Sequence, residues 1–193
     1  MRNTWKQLVH GGLAAAILSI PAAAATTALA PNEKVIAEQV RHELVTLPFY
    51  SIWDNLNFKV EGTKVTLMGE VQRPSIKTSA ERVAMRVPGV TEVENRIEVL
   101  PLSTFDNRIR IAVARAIFGN PVLSQYALRS VSPIHIIVKN GDVRLEGVVL
   151  REMDRNIANL QANSVPGVFS VTNNLRVELP SREADQSLVA VKK

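Results

Sequence analysis

Val65-Thr66-Leu67-Met68-Gly69 returns as Val143-Arg144-Leu145-Glu146-Gly147, an offset of 78 residues. The same offset carries Arg73 onto Arg151 and Val87-Pro88-Gly89-Val90 onto Val165-Pro166-Gly167-Val168. It also carries Val93, Asn95, Ile97 and Val99 onto Val171, Asn173, Leu175 and Val177 without a gap. A unit of this length exceeds a solenoid repeat and suffices for a small domain. The chain of 193 residues therefore reads as two copies of one domain.

Each copy has the same internal order. Ile36, Val40 and Leu44 in the first copy, and Ile109, Val113 and Ile117 in the second, recur every four residues and predict a leading amphipathic helix. Asn32 and Asp106 stand where its N-caps are expected. Residues 57–61 and 135–139 read as strands, followed by tight turns at Glu61-Gly62-Thr63 and Asn140-Gly141-Asp142 and by a second hairpin strand ending near Val71 and Val149. A second helix starts near Pro74 and Glu152. Its apolar stripe is Ile76, Ala80, Val83, Ala84 and Val87 in one copy, and Ile157, Leu160 and Val165 in the other. Val-Pro-Gly-Val ends that helix and turns the chain into a final strand, 91–99 and 171–179. The expected fold class is α+β: two tandem helix-strand-strand-helix-strand domains, each a three-stranded mixed sheet covered by two helices. The domain bounds are 32–100 and 106–179. The linker between them is short enough that the domains are expected to touch. Gly69 and Gly147 are read as places of close backbone approach or a bulge.

The first thirty residues are not expected to belong to the fold. Arg2 and Lys6, the short apolar run Leu13 to Ile20, Pro21 and the alanines up to Ala30 form the pattern of a secretory signal peptide, 1–30, with cleavage near Ala25. The run falls short of the roughly 20 residues that span a bilayer. The mature chain is expected to be exported, and in a Gram-negative source periplasmic. Residues 180–193 read as a disordered tail. There is no cysteine, which excludes disulfides, thiolate metal sites, a cysteine nucleophile and a lipidated N-terminus. The net charge is +5, unevenly spread: residues 31–102 sum to −1 and residues 103–180 to +3. The basic second copy suits an anionic partner, and in an envelope that means phospholipid headgroups or polyanionic glycans, not nucleic acid.

The glycine after the second strand (Gly69, Gly147), the Val-Pro-Gly-Val turn, and the endings Asn95-Arg96-Ile97-Glu98-Val99 and Asn173-Asn174-Leu175-Arg176-Val177 resemble the BON-domain family, named for bacterial osmotic-stress and nodulation proteins. The resemblance spans about residues 32–179. The tandem arrangement behind a signal peptide is similar to osmotically induced periplasmic proteins with two such domains. It implies envelope maintenance, stress response and association with phospholipid membranes, without known catalysis, and it implies that a helix of the second domain contacts lipid. Some relatives are anchored lipoproteins. This chain has no cysteine to lipidate, so the contact it implies is reversible.

On a helical wheel the first helix of the second copy buries Ile109, Val113, Ala116 and Ile117. Its opposite face carries Arg108, Ile111, Ala114, Arg115 and Phe118. Arginines mixed with a large aliphatic and an aromatic suit an interfacial helix, so Arg108, Ile111, Arg115 and Phe118 are the candidate lipid- or partner-binding residues. The same face also suits packing against the sister domain or a protein partner, and the alternative function is an envelope protein-interaction or stress-protective module. The corresponding face of the first copy, Val35, Glu38, Arg41, His42 and Val45, is more acidic. The loop Leu47 to Asp54 holds Phe49, Tyr50 and Trp53, of which Phe49 and Trp53 are read chiefly as closing the end of their own core. His42 and His135 share no acidic partner and no metal spacing, and Asp142 reads as a turn former. No phosphate loop, nucleophile motif or carboxylate pair stands out, so no cofactor and no enzymatic activity are expected.

Overall fold

The computed structural model describes residues 31–129 and 131–178. The expected signal peptide and the expected tail at 180–193 lie outside the described residues. The chain is α+β. The first domain runs α1 (Pro31–Val45), β1 (Asn55–Glu61), β2 (Lys64–Val71), α2 (Pro74–Arg86), β3 (Glu92–Asn95) and β4 (Glu98–Val99). The second runs α3 (Thr104–Phe118), a 3-10 turn at Ser124–Tyr126, β5 (Ile134–Lys139), β6 (Asp142–Val149), α4 (Glu152–Asn163) and β7 (Ser170–Val177). In each sheet the middle strand pairs antiparallel with the first and parallel with the last. The last strand of the first domain is interrupted at Arg96 and Ile97. It keeps its bonds to β2, because Arg96 N donates to Leu67 O and Leu100 N to Val71 O, both at 2.8 Å.

The motifs of the repeat have structural reasons. Gly69 and Gly147 adopt φ of 107° and 121°, and a Cβ on either would lie 2.0 Å from a backbone carbonyl oxygen, that of Asn55 at the start of β1 or of Pro133 just before β5. In Val-Pro-Gly-Val, the N–H of Val90 donates to Val87 O at 3.1 Å across Pro88 and Gly89, whose φ is 92°; the same turn recurs at Val165 to Val168. Proline at the second position and positive φ at the third define a type II turn. The asparagines of the last strand act as staples. Asn95 Nδ2 donates to Lys77 O while its Oδ1 accepts from Ile97 N. Asn173 does the same with Arg155 O at 2.9 Å and Leu175 N at 3.1 Å. Each ties the last strand to the crossover helix. Replacing Asn173 by alanine strands a carbonyl and an amide and is expected to cost about 2 kcal/mol, read as a lower urea midpoint. Asn173→Asp is expected to recover only part of this, because a carboxylate still accepts from Leu175 N but cannot donate to Arg155 O.

Three expectations are corrected. Asp106 is not an N-cap. Ser103 caps α3, its Oγ accepting from Asp106 N at 3.1 Å, while the Asp106 carboxylate is buried and accepts from Asn140 N and Gly141 N. Asn32 likewise lies within α1. Leu160 is not core: it is 67% exposed, and α4 buries Asp154, Ala158 and Ala162, the counterparts of Ile76, Ala80 and Ala84. Asp154 can be buried because the Tyr126 hydroxyl donates to it at 2.5 Å while accepting from Leu150 N. In the first domain the carboxylate of buried Asp54 accepts from the equivalent amide, Gln72 N. The third correction concerns the aromatic loop. Phe49 is exposed, and Ile52 and Trp53 pack against the core of the second domain, not their own.

That loop is one part of the contact between the domains. Ile136 N on the outer edge of β5 donates to Ile52 O at 2.7 Å, and the Tyr50 ring lies 5.5 Å from the His135 imidazole. Val65, Leu67 and Val71 of β2, and Val143, Leu145 and Val149 of β6, belong to the two helix-covered cores. Alternation therefore puts Glu70 and Arg144 on the opposite, helix-free faces. Arg144 pairs with Glu70, and Lys139 with Glu98 at 2.5 Å, so these two faces meet. Burial beside Tyr50 holds the His135 pKa below its ordinary 6.5, opposed by the backbone of Ser51 and Asp54 and by the charges of Asp54 and Glu146. A histidine kept neutral by the folded state takes up its proton more readily when unfolded. Stability is therefore complete above about pH 6.5 and falls as the pH drops below it. Unfolding midpoints between pH 7.5 and 5 are expected to show this decline, and His135→Gln to reduce it.

Candidate functional site

The geometry of α3 follows from how its inward side is fastened. Ile109, Val113 and Ile117 are buried in the second core. Asp106 holds the start of the helix on the Asn140-Gly141 turn. Arg110, buried, donates from Nη2 to Val138 O at 2.7 Å. Burial lowers its pKa, offset by the carboxylates of Asp106 and Asp54. Arg110 and Ile52 together occupy backbone groups on the outer edge of β5, which would otherwise be an open strand edge.

With that side fixed, the face of α3 around Arg108 points away from the core. Arg108, Ile111 and Arg115 fall within one sector and all three are exposed, Ile111 by 38%. Neither arginine has a carboxylate partner among the described residues. Phe118 lies at the flank, half-buried and packed against the second core. The structure thus gathers three of the four candidates on one outward face and leaves the fourth at its margin.

Beside α3 lies α4, running the other way: Phe105 and Ile109 at the start of α3 face Gly167, just past the end of α4. Its outward side carries Met153 and Leu160, both largely exposed. These were missed. The signal that could have found them is the repeat, since the offset of 78 sets Met153 on Ser75 and Leu160 on Arg82. Aligning α3 on α1 through Ile109 and Ile36 likewise sets Ile111 on Glu38. The second domain places apolar residues where the first, on the same backbone, has polar ones.

The histidines lie elsewhere. His42 is exposed on α1, on a groove between α1 and α2 of about 480 Å³, and His135 lies at the domain contact. Among the described residues no group of three or more histidine or acidic side chains could hold a metal ion, and no helix is long and apolar enough to cross a membrane.

A family model described as "BON domain" matches residues 32–101 and 106–178. Among solved structures, CdsD, a structural protein of the type III secretion system of Chlamydia trachomatis, is similar at 12% identity and a TM-score of 0.32, covering 80% of this chain and 97% of that one. The C-terminal domain of CdsD gives 12% identity and a TM-score of 0.26, covering 74% and 96%. No curated protein matches the chain.

Proposed function

The chain belongs to the BON-domain family, generally one of non-enzymatic binding modules, and from that premise we propose that it binds anionic phospholipid surfaces reversibly through the outer face of α3. The carrying observation is the pair of exposed arginines, Arg108 and Arg115, without a carboxylate partner among the described residues, flanking Ile111 on a helix whose other side is fixed in the core. An interface of this kind takes the aliphatic group into the acyl boundary while the guanidinium groups meet phosphates. Near an anionic surface each basic residue contributes about 1 kcal/mol, so the pair gives roughly a thirtyfold preference over a neutral bilayer. Without a cysteine for lipidation, and with so few basic groups, the attachment is transient. The proposed setting is the periplasm, reached through the signal-like segment 1–30, in envelope maintenance or stress response.

The test is flotation of the mature protein with phosphatidylglycerol-containing vesicles and with pure phosphatidylcholine vesicles. Selective capture by the anionic set is expected, weakening as salt is raised. A folded protein that stays with neither set overturns the proposal and leaves the face to a protein partner.

A further inference from the structure

We infer that an aromatic corner at the hairpin end of the second domain, formed by Phe105 and Phe169, is the element that enters the acyl boundary of an anionic bilayer. The inference rests on the membrane reading of α3 and adds a second contact to it.

Phe169 is 80% exposed and Phe105 41% exposed. Both rings lie over Gly141: a Cβ there would fall 2.5 Å from Phe169 Cδ2 and 3.4 Å from Phe105 Cε1. Phe169 is placed by its own backbone, whose N–H donates to Gly141 O at 3.0 Å. Phe105 is placed by the capped first turn of α3, which Asp106 pins to the same hairpin. The two rings therefore sit together on well-fastened backbone, at the tip of the domain.

The first domain supplies an internal control. There Thr91 N donates to Thr63 O at 2.9 Å, the counterpart of the Phe169 bond, and Thr91 stands in the place of Phe169. Asn32 stands in the place of Phe105, and Thr63, in the place of Gly141, shares a hydrogen bond between its hydroxyl and that of Thr91 at 2.7 Å. The same corner is thus built with asparagine and threonine, and folding does not require aromatic rings in it. Two exposed aromatics side by side, where the fold accepts polar residues, mark a contact surface.

A bilayer is the occupant that fits. Phe105 and Arg108 are neighbours three residues apart on α3, and Arg108 and Arg115, both exposed, continue along the helix from the aromatic tip. The interface zone of an anionic membrane presents apolar boundary and phosphate at that spacing, and aromatic rings favour that depth. The acids near the corner are occupied: Asp106 by the two hairpin amides, and Asp142 by the Ser170 hydroxyl at 2.6 Å.

The test exchanges the corner for its twin. Phe105→Asn/Phe169→Thr is compared with wild type and with Arg108→Glu/Arg115→Glu in flotation with phosphatidylglycerol-containing vesicles. Phe169→Trp is examined in parallel for quenching by tail-brominated phosphatidylglycerol. Expected is an unchanged urea midpoint for the corner variant, a loss of binding of about tenfold or more, and quenching of the Phe169→Trp protein beyond that of wild type. If the arginine variant loses binding while the corner variant binds as wild type and the Phe169→Trp protein shows no added quenching, the corner is overturned and the α3 reading stands. If folded wild type does not bind, both readings fall.

Discussion

Gly147→Ala is expected to lower the stability of this protein by about 3 kcal/mol or more. Two penalties coincide. A φ of 121° lies in a region that side chains rarely adopt, and the new methyl would sit 2.0 Å from Pro133 O. That oxygen belongs to the backbone, so nothing flexible can swing aside; the hairpin itself has to open. Gly69→Ala, with φ 107° and the same 2.0 Å approach to Asn55 O, is expected to behave alike. Gly62 is the contrast. Its φ of 62° carries conformational strain but a Cβ there meets nothing, so Gly62→Ala is expected to cost only about 1 kcal/mol. Urea unfolding of the three variants separates steric from conformational cost. Equal midpoints for Gly62→Ala and Gly147→Ala would refute this account of the glycine.

Arg108→Glu/Arg115→Glu is expected to abolish vesicle binding while leaving the fold intact. Each substitution removes an attraction of about 1 kcal/mol and introduces a repulsion of similar size, so the pair amounts to about 4 kcal/mol, roughly a thousandfold in partition at low salt. Both side chains are exposed and unpaired among the described residues, so their loss breaks no ion pair. The urea midpoint is therefore expected to stay within about 0.5 kcal/mol of wild type. The same exchange at Arg144, which pairs with Glu70 across the domain contact, is expected to lower stability instead.

Much of the fold was legible because the sequence states it twice. A hairpin strand that carries Gly69 or Gly147 near its end, and a helix ended by Val-Pro-Gly-Val, can each be read locally, since turn and backbone chemistry act over a few residues. What was not legible depends on partners far away in sequence. Asp154 looks unfit for a core until Tyr126 is seen donating to it from 28 residues away. Trp53 and Ile52 find their contacts in the other domain. Leu160 was misplaced because helical spacing alone leaves the phase of a short stripe open. The repeat would have fixed that phase, since it pairs Leu160 with Arg82 and Asp154 with Ile76. The α3 face was readable from the wheel, and the structure adds that its arginines are exposed and have no carboxylate partner among the described residues. The Phe105–Phe169 corner was not readable from one helix, because it joins a helix start to a turn sixty-odd residues later.

The most direct measurement uses the absence of native cysteine. Ile111→Cys and its twin Glu38→Cys each accept a single environment-sensitive fluorophore, at matching positions on α3 and α1. On adding phosphatidylglycerol-containing vesicles, the label at position 111 is expected to shift to the blue and the label at position 38 to remain as in buffer. A shift at position 38 with none at 111 would contradict the assignment of membrane contact to the second domain.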